Sequence, residues 1–151
     1  MANKSTNQQI NKSKSMRNIT HIIVHCTATA QTATVAAIQN YWRNTLGWVN
    51  PGYHVLIEAN GNTRQLHDYS LTANGAAGHN ANSIHIAYIG GVNQQGQPAD
   101  NRTPQQKAAL LRVITELKNR FPNAIICGHR DLPGVTKACP AFDAKTEYQS
   151  V

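Results

Sequence analysis

Acidic residues are scarce in this 151-residue chain, with 7 Asp and Glu against 14 Lys and Arg, for a formal net charge of +7. None of the acids falls in residues 1–17, which hold Lys4, Lys12, Lys14 and Arg17 and so carry +4, leaving +3 for the remainder. A basic arm on a mildly basic body suits an anionic partner, such as nucleic acid, a phospholipid surface or a cell-wall polymer, or it simply keeps the chain solvated. Cysteine is sparse too: Cys26, Cys127 and Cys139 are an odd number, which argues against a disulfide framework and for reduced thiols. No apolar run approaches the roughly 20 residues that cross a bilayer, and the basic N-terminus leads into no apolar segment of the kind a secretory signal needs. The expectation is a chain that is cytoplasmic as synthesised and inserts in no membrane. Phosphate-cradling GxxxxGK[ST] and GxGxxG motifs are missing, as is a basic patch interleaved with aromatics, so no nucleic-acid partner is expected. Neither CxxC nor HExxH is present to frame a metal site.

What is present reads as one domain. Hydrophobic residues make up 40% and charged residues 14% of the chain, a balance suited to a packed core. Residues 1–17 read as a flexible basic tail and 18–151 as the folded unit. "ITHIIVHC" alternates and is β-branched, a strand with His21, Ile23 and His25 on one face and Ile22, Val24 and Cys26 on the other. "TATVAAIQNYWRNTLGW" carries apolar residues at helical spacing, with Thr34 as N-cap and Gly47 as stop. "GYHVLIE" and the segment after "ANGNT" form a hairpin, and "SIHIAYIGG" is a further strand ended by paired glycines. "TPQQKAALLRVITELKNRF" is a helix with Thr103 and Gln106 in a capping box and Pro104 at its first position. "AIIC" is a short buried strand before the Gly- and Pro-rich loop "GHRDLPGVTKACP". Strands interleaved with helices predict an α/β domain, a central mixed sheet packed by helices.

His25, His129 and Cys139 each sit at a strand end or in the loop after one, where side chains converge on sites. Two imidazoles and a thiolate leave a fourth tetrahedral position open, the plan of a catalytic zinc site. The dull alternative is a surface histidine, a packed histidine and a half-buried cysteine. Cys26 and Cys127 read as core. His21 reads as a group behind the site or a buried, hydrogen-bonded residue. Lys137, two residues before Cys139, is placed to stabilise an oxyanion or is a plain loop lysine. Tyr53, at a strand start, offers a hydroxyl or merely rims the core. His79 lies on a Gly-rich connection that can touch ligand. A competing enzyme uses Cys139 as nucleophile, His129 or His25 as base and Asp131 as orienting group, and leaves one histidine without a task.

In this order, "IIVHCTAT", "GYHVLIEANGNT", "SIHIAYIGG", "TPQQKAALLRVI", "GHRDL" and "KACPAFD" resemble the zinc-dependent N-acetylmuramoyl-L-alanine amidases, the group that includes amidase-type phage lysozymes and the peptidoglycan recognition proteins. The resemblance runs from about Ile19 to Phe142. It implies an amidase-like α/β fold, one zinc ion on His25, His129 and Cys139, and Tyr53 and Lys137 as catalytic groups. It also implies His79 in the substrate groove. The implied reaction is hydrolysis of the amide between N-acetylmuramic acid and L-alanine in peptidoglycan, by a monomer that reaches the wall after release from the cell. Members that lose the cysteine bind muropeptide without cleaving it; this chain keeps Cys139. A non-catalytic muropeptide-binding module is the remaining alternative. Two departures stand out: the family's S-I-G reads "SIH" here, which predicts His85 in one wall of the groove, and the link from His79 to Ser83 is short.

Overall fold

The computed structural model describes residues 17–151; of the basic arm only Arg17 falls within them. Alternation and β-branching in "HIIVHC" produce strand β1 (His21–Cys26), which lies between two parallel neighbours and is buried almost throughout. Five strands form one mixed sheet in the order β3-β2-β4-β1-β5. Here β2 is Val55–Ile57, β3 Thr63–Gln65, β4 Ser83–Tyr88 and β5 Ile125–Gly128. β2, β4, β1 and β5 run parallel, and β3 folds back antiparallel on β2 as the expected hairpin.

Helices cover both faces, as a parallel sheet requires. Helix α2 (Pro104–Arg120) carries the capping box: Thr103 Oγ1 accepts from the Gln106 N–H, and Gln106 Oε1 accepts from the Thr103 N–H, both at 3.0 Å. The buried amide of Gln106 also donates to the carbonyls of Ile57 and Ile89, fastening the first turn of the helix to the ends of β2 and β4. Ala109, Leu110, Val113, Ile114 and Leu117 then pack on Ile22, Val24, Ile84 and Ile86. On the opposite face, helix α1 (Val35–Asn40) starts at Thr34, whose hydroxyl accepts from the Ala37 N–H. It continues as a π-helical turn, Tyr41–Thr45, and stops before Gly47 at φ +69°. Its Val35, Ile38 and Trp42 pack on Leu56, Ala87 and Ile89.

Two short elements carry no readable period and were not expected: a 3-10 turn, His129–Asp131, and helix α3, Ala144–Glu147. α3 is held by Arg102, whose buried guanidinium bridges Asp100 and Glu147 at 2.8 Å and lies 3.4 Å over the Phe142 ring.

Candidate metal centre

Parallel pairing of β1 with β5 brings their carboxyl ends side by side, the usual place for a ligand site in such sheets. His25 is the last residue but one of β1, and His129 follows β5 directly. Cys139 returns to them from the loop beyond, tied back by the Arg130 N–H donating to its carbonyl at 2.8 Å. The ligand atoms of His25, His129 and Cys139 all lie within 4.8 Å of one another, a group able to hold a metal ion. His25 Nδ1 is 3.8 Å from Cys139 Sγ. A tetrahedral ion at ordinary Zn–N and Zn–S bond lengths would set those atoms about 3.6 Å apart, so the spacing and the donor types fit zinc.

The surroundings favour the ligating forms of the histidines. Burial first, then the proximity of His85, His129 and the Lys137 ammonium, which would each repel a second positive charge, hold His25 well below the usual histidine range. Burial and then Lys137 lower His129 as well. Both imidazoles are thereby neutral, with lone pairs to give. The Cys139 thiol is pushed up, first by its contact with the Cys26 thiol and then by burial. The Cys26 N–H, 3.3 Å from Cys139 Sγ, works the other way and would steady a thiolate once an ion had displaced the proton.

These groups lie in a cleft of about 740 Å³ that is also lined by Ala37, Ile38 and Trp42 of the α1 segment and by Lys137. That size suits a substrate segment more than a lone ion. Tyr53 lies just before β2 and reaches the cleft; its hydroxyl donates to the Cys26 carbonyl at 3.3 Å, and its ring meets His25 at 5.1 Å and packs edge-on against Trp42. Burial raises its pKa above the usual phenol range, so the hydroxyl stays protonated. Lys137 is exposed at the cleft edge.

His79 is half-buried and does not line this cleft; it lies near enough to His129 for its charge to depress that imidazole. Cys26 and Cys127 are free, buried core thiols, and His21 bonds to Thr20 Oγ1 away from the site. Asp131 accepts from the Gly128 N–H, capping the 3-10 turn. The largest surprise is His85. It does not form a groove wall: it is wholly buried behind Gly75, with Nδ1 2.8 Å from His25 Nε2 and Nε2 2.9 Å from Asn80 Oδ1. Strand alternation was a usable signal for this, since His25 and His85 fall on one face of adjacent strands once their register is known.

Comparison with known proteins points to one family. Residues 15–142 match the N-acetylmuramoyl-L-alanine amidase family. The endolysin of Klebsiella phage KP32 is 34% identical over 129 residues, covering 85% of this chain and 84% of the relative. Among solved structures, the endolysin N-acetylmuramoyl-L-alanine amidase LysCS of Clostridium intestinale superposes with a TM-score of 0.71 at 26% identity, covering 86% of this chain and 80% of that one. The endolysin of the Thermus scotoductus bacteriophage Ph2119 gives 0.70 at 25% identity, covering 81% and 77%.

Proposed function

The chain belongs to the N-acetylmuramoyl-L-alanine amidase family, and from that premise we propose that its cleft is a zinc site in which His25, His129 and Cys139 hold the ion while Lys137 and Tyr53 act on the scissile amide. The chain is a peptidoglycan amidase, a hydrolase that degrades the cell wall by cutting the amide between N-acetylmuramic acid and L-alanine. The observation that carries the zinc reading is the meeting of two neutral imidazoles and one thiol at the mouth of β1 and β5.

Zinc held there would supply Lewis acidity, making water a stronger acid and an amide carbonyl a better electrophile. The protein's own groups account for the rest. Cys139, as a thiolate, brings one negative charge, which leaves room for help from a cation. Lys137 stands at the cleft edge, where its ammonium can hold the oxygen that becomes negative as the amide carbon turns tetrahedral. Tyr53, kept protonated by burial, is a hydrogen-bond donor in this reaction and not a base. The apolar lining of Ala37, Ile38 and Trp42 excludes water from part of the substrate. A thiol-hydrolase reading is disfavoured by two features: the Cys139 thiol is raised, not lowered, and Asp131 is bonded to the Gly128 N–H and orients neither histidine.

The role proposed for the chain is that of an endolysin, acting on the wall after release from the cell, as a monomer. The test is chemical. Purified peptidoglycan treated with the protein should gain free L-alanine amino termini and no new reducing sugar ends. Turbidity loss with new reducing ends and no new amino termini would contradict the reaction.

A further inference from the structure

His25 is backed by a chain of hydrogen bonds whose directions can be worked out from one fixed donor. The Ala76 N–H gives a 2.8 Å bond to Asn80 Oδ1. A backbone amide only donates, so this Asn80 atom is the carbonyl oxygen and the amide is not flipped. The same oxygen is 2.9 Å from His85 Nε2 and must accept there too, which puts a proton on His85 Nε2. The His85 ring is wholly buried and bonds to Asn80 Oδ1 and His25, with no carboxylate among its partners to balance a cation, so it carries one proton only. Its Nδ1 is therefore a lone pair, and His25 Nε2, 2.8 Å away, must donate to it. His25 Nδ1 is left unprotonated, on the side of Cys139 Sγ.

Independent features hold this chain in place. A Cβ added at Gly75 would come 2.4 Å from His85 Nδ1, so the ring occupies space that glycine alone leaves free. The His85 N–H donates to His54 Nδ1 at 3.0 Å, and His54 Nε2 donates in turn to the Leu71 carbonyl; the two rings stack at 8°. The Arg17 guanidinium donates to the carbonyls of Tyr69, Asn80, Ala81 and Ser83, pinning the loop that carries Asn80.

We propose that Asn80 and His85 are positioning residues that hold His25 in the tautomer protonated on Nε2, so that its Nδ1 lone pair is presented to the ion shared with His129 and Cys139. The inference rests on the reading of His25 as a zinc ligand. Ligating histidines generally donate their second N–H to a fixed acceptor, and here a neutral imidazole backed by an amide oxygen takes the place of a carboxylate. A neutral acceptor leaves the ligand a neutral imidazole and adds no charge to the centre.

The test uses the full chain in zinc-free and zinc-loaded forms. Long-range 1H–15N spectra of the zinc-free chain should show His25 protonated on Nε2. Competition with a chromophoric chelator should show zinc bound about 10–100-fold more weakly by His85→Phe, which fills the space but accepts no hydrogen bond. His85→Asn, whose Oδ1 falls near the former Nδ1, should recover most of that loss. Gly75→Ala, which pushes on His85 but alters no polar group, should weaken zinc in the same sense. A His25 proton on Nδ1, or unchanged zinc affinity in a folded His85→Phe chain, overturns the relay alone. Failure of the unaltered chain to take up zinc overturns the metal site and the relay together. Should His85→Phe not fold, the tautomer of the unaltered chain still decides.

Discussion

Lys137 is exposed and belongs to a loop, so removing it tests chemistry without testing the fold. Lys137→Ala should lower kcat about 10²–10³-fold with little change in KM, while the unfolding free energy from urea titration stays within about 0.5 kcal/mol of the parent. A loss confined to KM would assign the lysine to binding. Tyr53→Phe keeps the ring packed on Trp42 and removes a hydroxyl that, among the described residues, bonds to the Cys26 carbonyl. It should fold normally and lose about 10²-fold in kcat. At this scale the sequence spoke clearly where neighbours are local: period-2 alternation sends His25 and Cys26 to opposite faces, and Cys26 is indeed core. It marked His85 as a departure but did not give its bond to His25, because that partner lies 60 residues away and is reached only through the register of β1 with β4. Asn80 was hidden for the same reason, since its role depends on where the chain returns.

Helix α2 shows what one element contributes. Thr103 both caps the helix and donates to the Ala59 carbonyl at 2.6 Å. Thr103→Ala should cost about 1–2 kcal/mol in urea unfolding, the value of a cap with a second bond added. Leu110, wholly buried beneath the sheet, should cost about 2–5 kcal/mol as Leu110→Ala. If Thr103→Ala proved the more damaging, the helix would be held by its end and not by its stripe. The capping box, the apolar stripe and Pro104 made this helix legible from sequence. The α1 segment was legible only in part: Thr34 and Gly47 marked its ends, but the switch to a π-helical turn at Tyr41–Thr45, where Trp42 packs with Leu56 and Tyr53, has no local sequence signal. α3, at four residues, is too short for any period and is placed by Asp143 and the Arg102 clamp.

Across the whole molecule, buried histidines set the pH response. His54 is pushed down to about 4, chiefly by burial, against an ordinary value of 6.5. The unfolded chain therefore binds a proton that the folded chain refuses, and this contribution is complete above about pH 6.5 and lost as pH falls toward 4. The full span is on the order of 3 kcal/mol. Asp100 and Glu147, held low by Arg102, add a second loss of stability at lower pH, below the ordinary carboxylate range. Urea midpoints of the zinc-free chain should fall between pH 6.5 and 4, and His54→Gln should flatten that slope; a flat profile in the parent would contradict the account. The fold class was readable because strands and helices alternate along the chain. The cleft was not, since it exists only once parallel pairing sets the ends of β1 and β5 together.

That convergence is the central claim, and anomalous diffraction from zinc-loaded crystals across the zinc edge tests it most directly. The account predicts one peak bonded to His25 Nδ1, a ring nitrogen of His129 and Cys139 Sγ at about 2.0–2.3 Å. A zinc-loaded crystal with no peak among those three atoms, or with its peak on other residues, would contradict it.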